Sequence, residues 1–243
     1  MSNRELTAED IFARLDPIIE ELRYTKHSFV QRVTAGPIAR HLVREWAMQK
    51  YWQVFHQIRA FSAVHSRAIP EDVRAFEMEN LVAEETGYTS GSESHYRLMM
   101  RFACALGATE EEVLNNPPHE EVMRYCNFVI DLCRNNHYLV GLTAYYALEA
   151  QIPDGVIKMH KAFQEQYGLS DEAMEWFPVH AEDDVEHSLG RRRMIAKYFH
   201  EMPDYLPVAE KTIRDAMGAW RRLHDFYYEI ITREDGEDQR MTA

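Results

Sequence analysis

His180, Asp184 and His187 stand within one octad at offsets 0, +4 and +7. At 3.6 residues per turn, seven steps return to within about 20° of the starting azimuth. The three side chains therefore share one stripe of any helix that spans them, where neighbours can touch. Two neutral imidazoles and a carboxylate, with coordination positions left open, are a donor set that non-haem iron takes. The competing reading is a solvated acidic face, and Glu182, Asp183 and Glu186 in the same octad favour it. Asp183 also lies one turn from His187, so spacing does not choose between Asp183 and Asp184.

Glu149 is the next candidate, because it is the one charge between His137 and Asp154. A segment apolar on nearly every side is a buried helix. A carboxylate buried in it must be paired, protonated or bound to a cation; the alternative is a helix with one wet edge that carries Glu149. Glu84 and His95 flank the loop at Gly87 and offer one more carboxylate and one more imidazole. Spacing alone cannot prefer Glu84 over Glu85. Together Glu84, His95, Glu149, His180, Asp184 and His187 make three carboxylates and three imidazoles, the inventory of a dinuclear site inside a helical bundle.

Helices must position these residues, since helical periodicity dominates the chain and strand signals are nearly absent. Thr7 to Asp10 reads as a cap with an acidic first turn, followed by Ile11, Leu15, Ile18, Ile19 and Leu22, with Pro17 a possible kink. Residues 38–68 read as one long amphipathic run, and Pro70 opens the next helix, which stops near Gly87. Thr89 to Ser94 is a polar loop, and His95 to Leu106 is helical. A short helix starts at Thr109, and others cover 119–134, 138–167 with a bend at Pro153, 173–200 and 208–232. The expectation is one all-α domain, residues 1–243, of about seven main helices, with 233–243 a polar, frayed tail.

Composition limits the partners. With 46% apolar and 28% charged residues the chain is of globular type. A net charge of −13 argues against a nucleic-acid or anionic-membrane partner, since both need a basic surface. Cys104, Cys126 and Cys133 are an odd count without a CxxC pair, which suits packing in a reducing compartment better than disulfides. The N-terminal ten residues hold no apolar core of a signal peptide, and no apolar run reaches membrane-spanning length. A cytoplasmic location is expected.

Several segments carry a resemblance: Val64-His65-Ser66-Arg67, Asn80 through Tyr88 with Glu84-Glu85-Thr86-Gly87, Phe102 through Gly107, Glu149-Ala150-Gln151-Ile152-Pro153, and the closing His-x3-Asp-x2-His. In these the chain resembles the haem-oxygenase-like di-metal oxidases and oxygenases of the PqqC/TenA-like superfamily, above all the group of the chlamydial protein associating with death domains. The resemblance covers most of the chain. It implies a haem-oxygenase-like helical bundle, Glu84 rather than Glu85 and Asp184 rather than Asp183 as ligands, and two Fe(II) ions (or iron with manganese) that use O2 as co-substrate. Relatives oxidise amino acids, amines or fatty acids by N-oxygenation, desaturation or carbon–carbon cleavage.

Two positions depart from the chlamydial group, whose members make p-aminobenzoate from one of their own tyrosines with a lysine donating nitrogen. Val30 stands at the tyrosine position and Met159 at the lysine position, with Lys158 one step off. Valine is no phenol donor, so an external small-molecule substrate is expected, with Val30 helping to make room for it. Tyr51, Trp52, Tyr145 and Tyr146 are candidate pocket walls, although core packing is the simpler reading of each. One of Arg191, Arg192 and Arg193 could pair with a substrate carboxylate, although a solvated basic turn is the simpler reading. A homodimer is expected. The alternatives are a p-aminobenzoate-forming relative, a PqqC-like oxidase without metal, a thiaminase-like hydrolase using Cys133, and a non-catalytic interaction protein.

Overall fold

The first helix shows how locally the chain is punctuated. Thr7 accepts a hydrogen bond from the Asp10 backbone N–H, and the Asp10 carboxylate accepts one from the Thr7 N–H. This reciprocal cap starts α1 (Ala8–Glu21), whose Ile11, Phe12, Leu15, Ile18 and Ile19 are buried. The helix runs through Pro17 without ending. The computed structural model describes residues 6–88 and 91–233. Of the expected loop, Thr89 and Ser90 lie outside the described residues, as do residues 234–243 of the expected tail.

After a 3-10 turn at Tyr24–Lys26 come α2 (Ser28–Ala35), α3 (Arg40–Gln57), α4 (Arg59–Arg67), α5 (Glu71–Thr86), α6 (His95–Ala105) and α7 (Glu110–Asn115). They are followed by α8 (Glu120–Asn135), α9 (Tyr138–Glu149), α10 (Ile152–Tyr167), α11 (Asp171–Met174), α12 (Trp176–Tyr198) and α13 (Tyr205–Thr232). Among the described residues there is no strand. The helices of 14 residues or more are α1, α3, α5, α8, α10, α12 and α13, the expected bundle of about seven main helices. No helix among the described residues is long and apolar enough to cross a membrane.

Three expected runs are divided. The run over 38–68 breaks at Ile58, a buried residue whose carbonyl accepts from Phe61 N–H in a tight turn. No Gly or Pro marks the break, and the apolar rhythm continues across it. The run over 138–167 is interrupted after Glu149 and restarts at Ile152, so Pro153 sits in a first turn, where its missing N–H costs little, rather than bending a helix interior. The run over 173–200 is likewise split at Glu175 into α11 and α12. At the C-terminal end Arg233 pairs with Glu45 of α3 at 3.0 Å, so the first residue of the expected tail is anchored.

Helix α9 forms the centre. All of its residues are buried, and it packs on α4, α8, α10, α12 and α13. The wet-edge alternative for Glu149 is therefore excluded. α12 lies across α9 and α10, and the α5–α6 pair closes the same end of the bundle, α6 packing along α3. The three cysteines are free, and burial pushes the Cys126 thiol up to about 12. Like Cys133, it behaves as core.

Candidate metal centre

The six residues singled out in the sequence come from four helices and are all buried: Glu84 on α5, His95 on α6, Glu149 on α9, and His180, Asp184 and His187 on α12. They divide into two triads. Glu84, His95 and His180 offer ligand atoms within 4.8 Å of one another, as do Glu149, Asp184 and His187. Glu84 is inside the cluster whereas Glu85 is exposed. Gly87 ends α5 at φ +64°, a left-handed conformation that glycine adopts without strain, and this turn returns the chain toward His95.

Each imidazole is differently held. His180 Nδ1 is 2.9 Å from the Trp176 carbonyl oxygen, which can only accept, so Nδ1 carries the proton and Nε2 is left as a neutral donor atom. The Trp176 ring lies 4.0 Å from the His180 ring. His95 Nδ1 is 2.9 Å from Glu84 Oε2, without the alignment of a hydrogen bond, and His95 Nε2 is 3.4 Å from Asp183. Asp183 is thus beside the first triad, while Asp184 belongs to the second.

The electrostatics are unsettled for a cluster of protein groups alone. Burial pushes the Asp184 and Glu149 carboxyls well up, and the Glu84 charge adds to both. Burial drives His180 well down and His187 down to about 4. Burial also opposes charge on His95, yet Glu84 and Asp183 hold it up to about 10. Glu84 Oε2, both His95 nitrogens, Asp184 Oδ2 and His187 Nδ1 find no hydrogen-bond partner among the described residues. Buried groups without partners demand an explanation. Divalent cations held by the two triads would give most of these atoms a partner, a neutral His95 offering one of its two nitrogens, and the mixed oxygen and nitrogen donors suit iron.

Arg191, read in the sequence as part of a basic turn, is fully buried. Its Nη1 donates to Glu149 and its Nε lies 3.4 Å from Glu77, a buried carboxylate that sequence reading passed over. A signal for both existed: Arg191 is seven residues after Asp184, and Glu77 seven before Glu84, each on its helix's ligand stripe. Arg192 instead covers the Phe12 ring at 3.8 Å and pairs with Asp16.

The four aromatics offered as pocket walls follow the simpler reading, packing, and the walls come from other residues. A cavity of about 20 Å³ abuts His180, and its aromatic walls are Tyr24, Trp46, Trp176 and Trp220. Tyr51 packs against Phe55, Trp52 donates to the Asn116 carbonyl, Tyr145 sits 4.4 Å from Phe61, and the Tyr146 hydroxyl meets Asp16. These four face the surrounding packing instead. Val30 is buried but does not line this cavity, whereas Met159 does, 3.6 Å from the Tyr24 hydroxyl. Lys50, unremarked in the sequence, is buried in the same wall.

The family described as iron-containing redox enzymes matches residues 44–225, a span that contains all six clustered residues. The chain belongs to that family. It is 29% identical over 213 residues to the 4-aminobenzoate synthase of Chlamydia pneumoniae, covering 87% of this chain and 92% of that protein. Among solved structures, a CADD-like protein of unknown function from Nostoc punctiforme superposes with a TM-score of 0.76 at 18% identity, covering 93% of this chain and 99% of that one. A domain of unknown function with a haem-oxygenase-like fold from Shewanella denitrificans gives 0.73 at 16% identity, with 92% and 93% covered. The protein is an iron-containing oxidoreductase of haem-oxygenase-like fold, and such an enzyme acts on a small molecule.

Proposed function

We propose that the two triads hold two Fe(II) ions, or iron with manganese, and that the enzyme uses O2 to oxidise a small external substrate of amino-acid or amine type within a biosynthetic route in the cytoplasm. The observation that carries this reading is the pairing of buried triads, each with unpartnered donor atoms, brought together from four helices. The ions would supply dioxygen activation. The chain's own contribution is positional. The Trp176 carbonyl fixes the His180 tautomer, Arg191 holds one oxygen of Glu149, and the tryptophan-lined cavity excludes bulk water from the His180 side. The net charge of −13 disfavours nucleic acid and anionic membranes as partners, and a homodimer fits the long helical faces.

The test is anaerobic loading with Fe(II), iron counting, and exposure to O2 with optical monitoring. About two iron ions per chain and a transient absorption band are expected. Less than one ion per chain without a colour change ends the di-metal reading. His187→Ala should lose the second ion and remain folded; retention of both ions contradicts the ligand assignment.

A second reading, formation of 4-aminobenzoate from the chain's own side chains, gains support from one observation. Tyr24 and Lys50 both line the cavity beside His180, although Val30 and Met159 occupy the positions expected to carry tyrosine and lysine. Intact mass before and after O2 exposure separates the two. An unchanged mass is expected for an external substrate, and a mass loss localised to Tyr24 or Lys50 selects the second reading.

A further inference from the structure

The cavity beside His180 has an unusual hydrogen-bond inventory. Trp46, Trp176 and Trp220 line it, and each indole N–H is buried without an acceptor among the described residues. An indole nitrogen can only donate. Lys50 reaches the same cavity with an amine that donates to Gln53 Oε1 at 3.0 Å, one bond for three donor positions among the described residues. The Lys50 Nζ lies 5.2 Å from the Trp176 ring and 4.9 Å from the Trp220 ring, so aromatic faces flank it. Among the described residues the Tyr24 hydroxyl donates to the Met159 sulfur, a weak acceptor.

Donors thus outnumber free acceptors along one wall: besides His180, the other polar lining residue is Gln57, whose Oε1 already accepts from Gln53 Nε2 at 3.0 Å. Leaving a buried donor unmet is costly, so several of them together call for a common acceptor. A group that only accepts, carries negative charge and has two oxygens meets this inventory; a carboxylate is that group.

We propose that this cavity is a carboxylate-recognition pocket, in which Lys50 and the indoles of Trp46, Trp176 and Trp220 hold the acid group of a small substrate beside His180. The substrate class is a small carboxylic acid, amino acids included, with its acid end held at Lys50. The cavity of about 20 Å³ takes a water-sized group as it stands. The remainder of the guest displaces the unbranched Met159 side chain, which can repack. The inference rests on the oxidase reading only for the role of the guest as substrate.

The test uses the anaerobic iron-loaded protein and butyrate as probe, with butyramide as its neutral counterpart. Three of the four tryptophans line the cavity, so intrinsic fluorescence reports occupancy. Butyrate should change the emission in a saturable way and butyramide should not. Lys50→Met should weaken butyrate binding about tenfold or more, Lys50→Arg should hold it within about threefold, and Trp220→Phe should weaken it measurably. Equal response to acid and amide, or butyrate affinity unchanged in Lys50→Met, overturns the proposal. Should Lys50→Met not fold, the acid–amide comparison in the parent and the Trp220→Phe variant decide it. Iron counting keeps the two readings apart. Lys50-dependent butyrate binding without iron uptake would sink the oxidase reading alone, and full iron uptake without butyrate binding would sink the pocket alone.

Discussion

Arg191 donates to Glu149 while its Nε and Nη2 both lie 3.4 Å from Glu77, so one guanidinium bridges a candidate ligand and a carboxylate outside the ligand set. The three side chains are buried, with Phe61 and Phe76 rings 5.0 and 5.6 Å from the guanidinium carbon. Removing the cation would leave two carboxylates uncompensated in low dielectric, the costly way to break a buried ion pair. Arg191→Met is therefore expected to destabilise the fold by about 3–5 kcal/mol in urea unfolding. Pairing it with Glu77→Gln should recover part of the loss, and a double variant no more stable than Arg191→Met would contradict the triad.

Glu149 faces that guanidinium on one side and the Asp184–His187 pair on the other. Glu149→Gln keeps the shape and an acceptor for Arg191 but removes the charge that a cation needs. Iron content should fall from about two to about one per chain, with the thermal midpoint of the metal-free protein held within a few degrees. Full iron content in this variant would remove Glu149 from the ligand set.

His224 gives a pH prediction away from the metal centre. It is buried on α13, its Nδ1 2.8 Å from the Trp220 carbonyl, and burial drives its pKa well below the usual imidazole value. The folded state keeps it neutral while the unfolded chain protonates near pH 6.5. Its contribution to stability is thus complete above about pH 6.5 and is lost as pH falls below that value. Glu149 and Asp184, whose carboxyls are pushed up, act in the opposite sense, so the comparison must be between variants. On going from about pH 7.5 to pH 5.5 the urea midpoint of His224→Asn should rise relative to that of the parent, because the variant lacks the His224 loss. An unchanged difference would mean that His224 does not titrate as its burial requires.

What the sequence made legible is what repeats at short range. The helix starts at Thr7 and Thr109 were visible as residue types, and each side chain accepts the backbone N–H three residues on. His180, Asp184 and His187 announced themselves by sharing a stripe, and Glu149 by being charged in an apolar helix. The breaks at Ile58 and Glu175 were hidden, because both positions lack Gly or Pro and the helical rhythm persists through them. Arg191 was masked by its two basic neighbours, although the heptad step from Asp184 pointed to it. The cavity was not legible at all. Its tryptophans come from α3, α12 and α13, and only tertiary packing brings them together.

Lys50 offers the last prediction, on the cost of keeping an amine in such a wall. Burial lowers its pKa to about 7, against an unfolded value near 10.5. The unfolded chain therefore binds the proton more tightly between those values, and stability falls as pH drops from about 10 to about 7. Lys50→Met removes this penalty with little change of volume, and Gln53 Oε1 keeps the Tyr227 hydroxyl as donor at 3.0 Å. The variant should melt several degrees higher than the parent at about pH 7, with the gain shrinking toward pH 10. Such a gain would show that Lys50 is kept at a cost to stability, as a role in binding requires. If Lys50→Met instead melts lower at pH 7, the amine is a structural counter-charge to Glu84 and Asp184, and its place in the cavity is incidental.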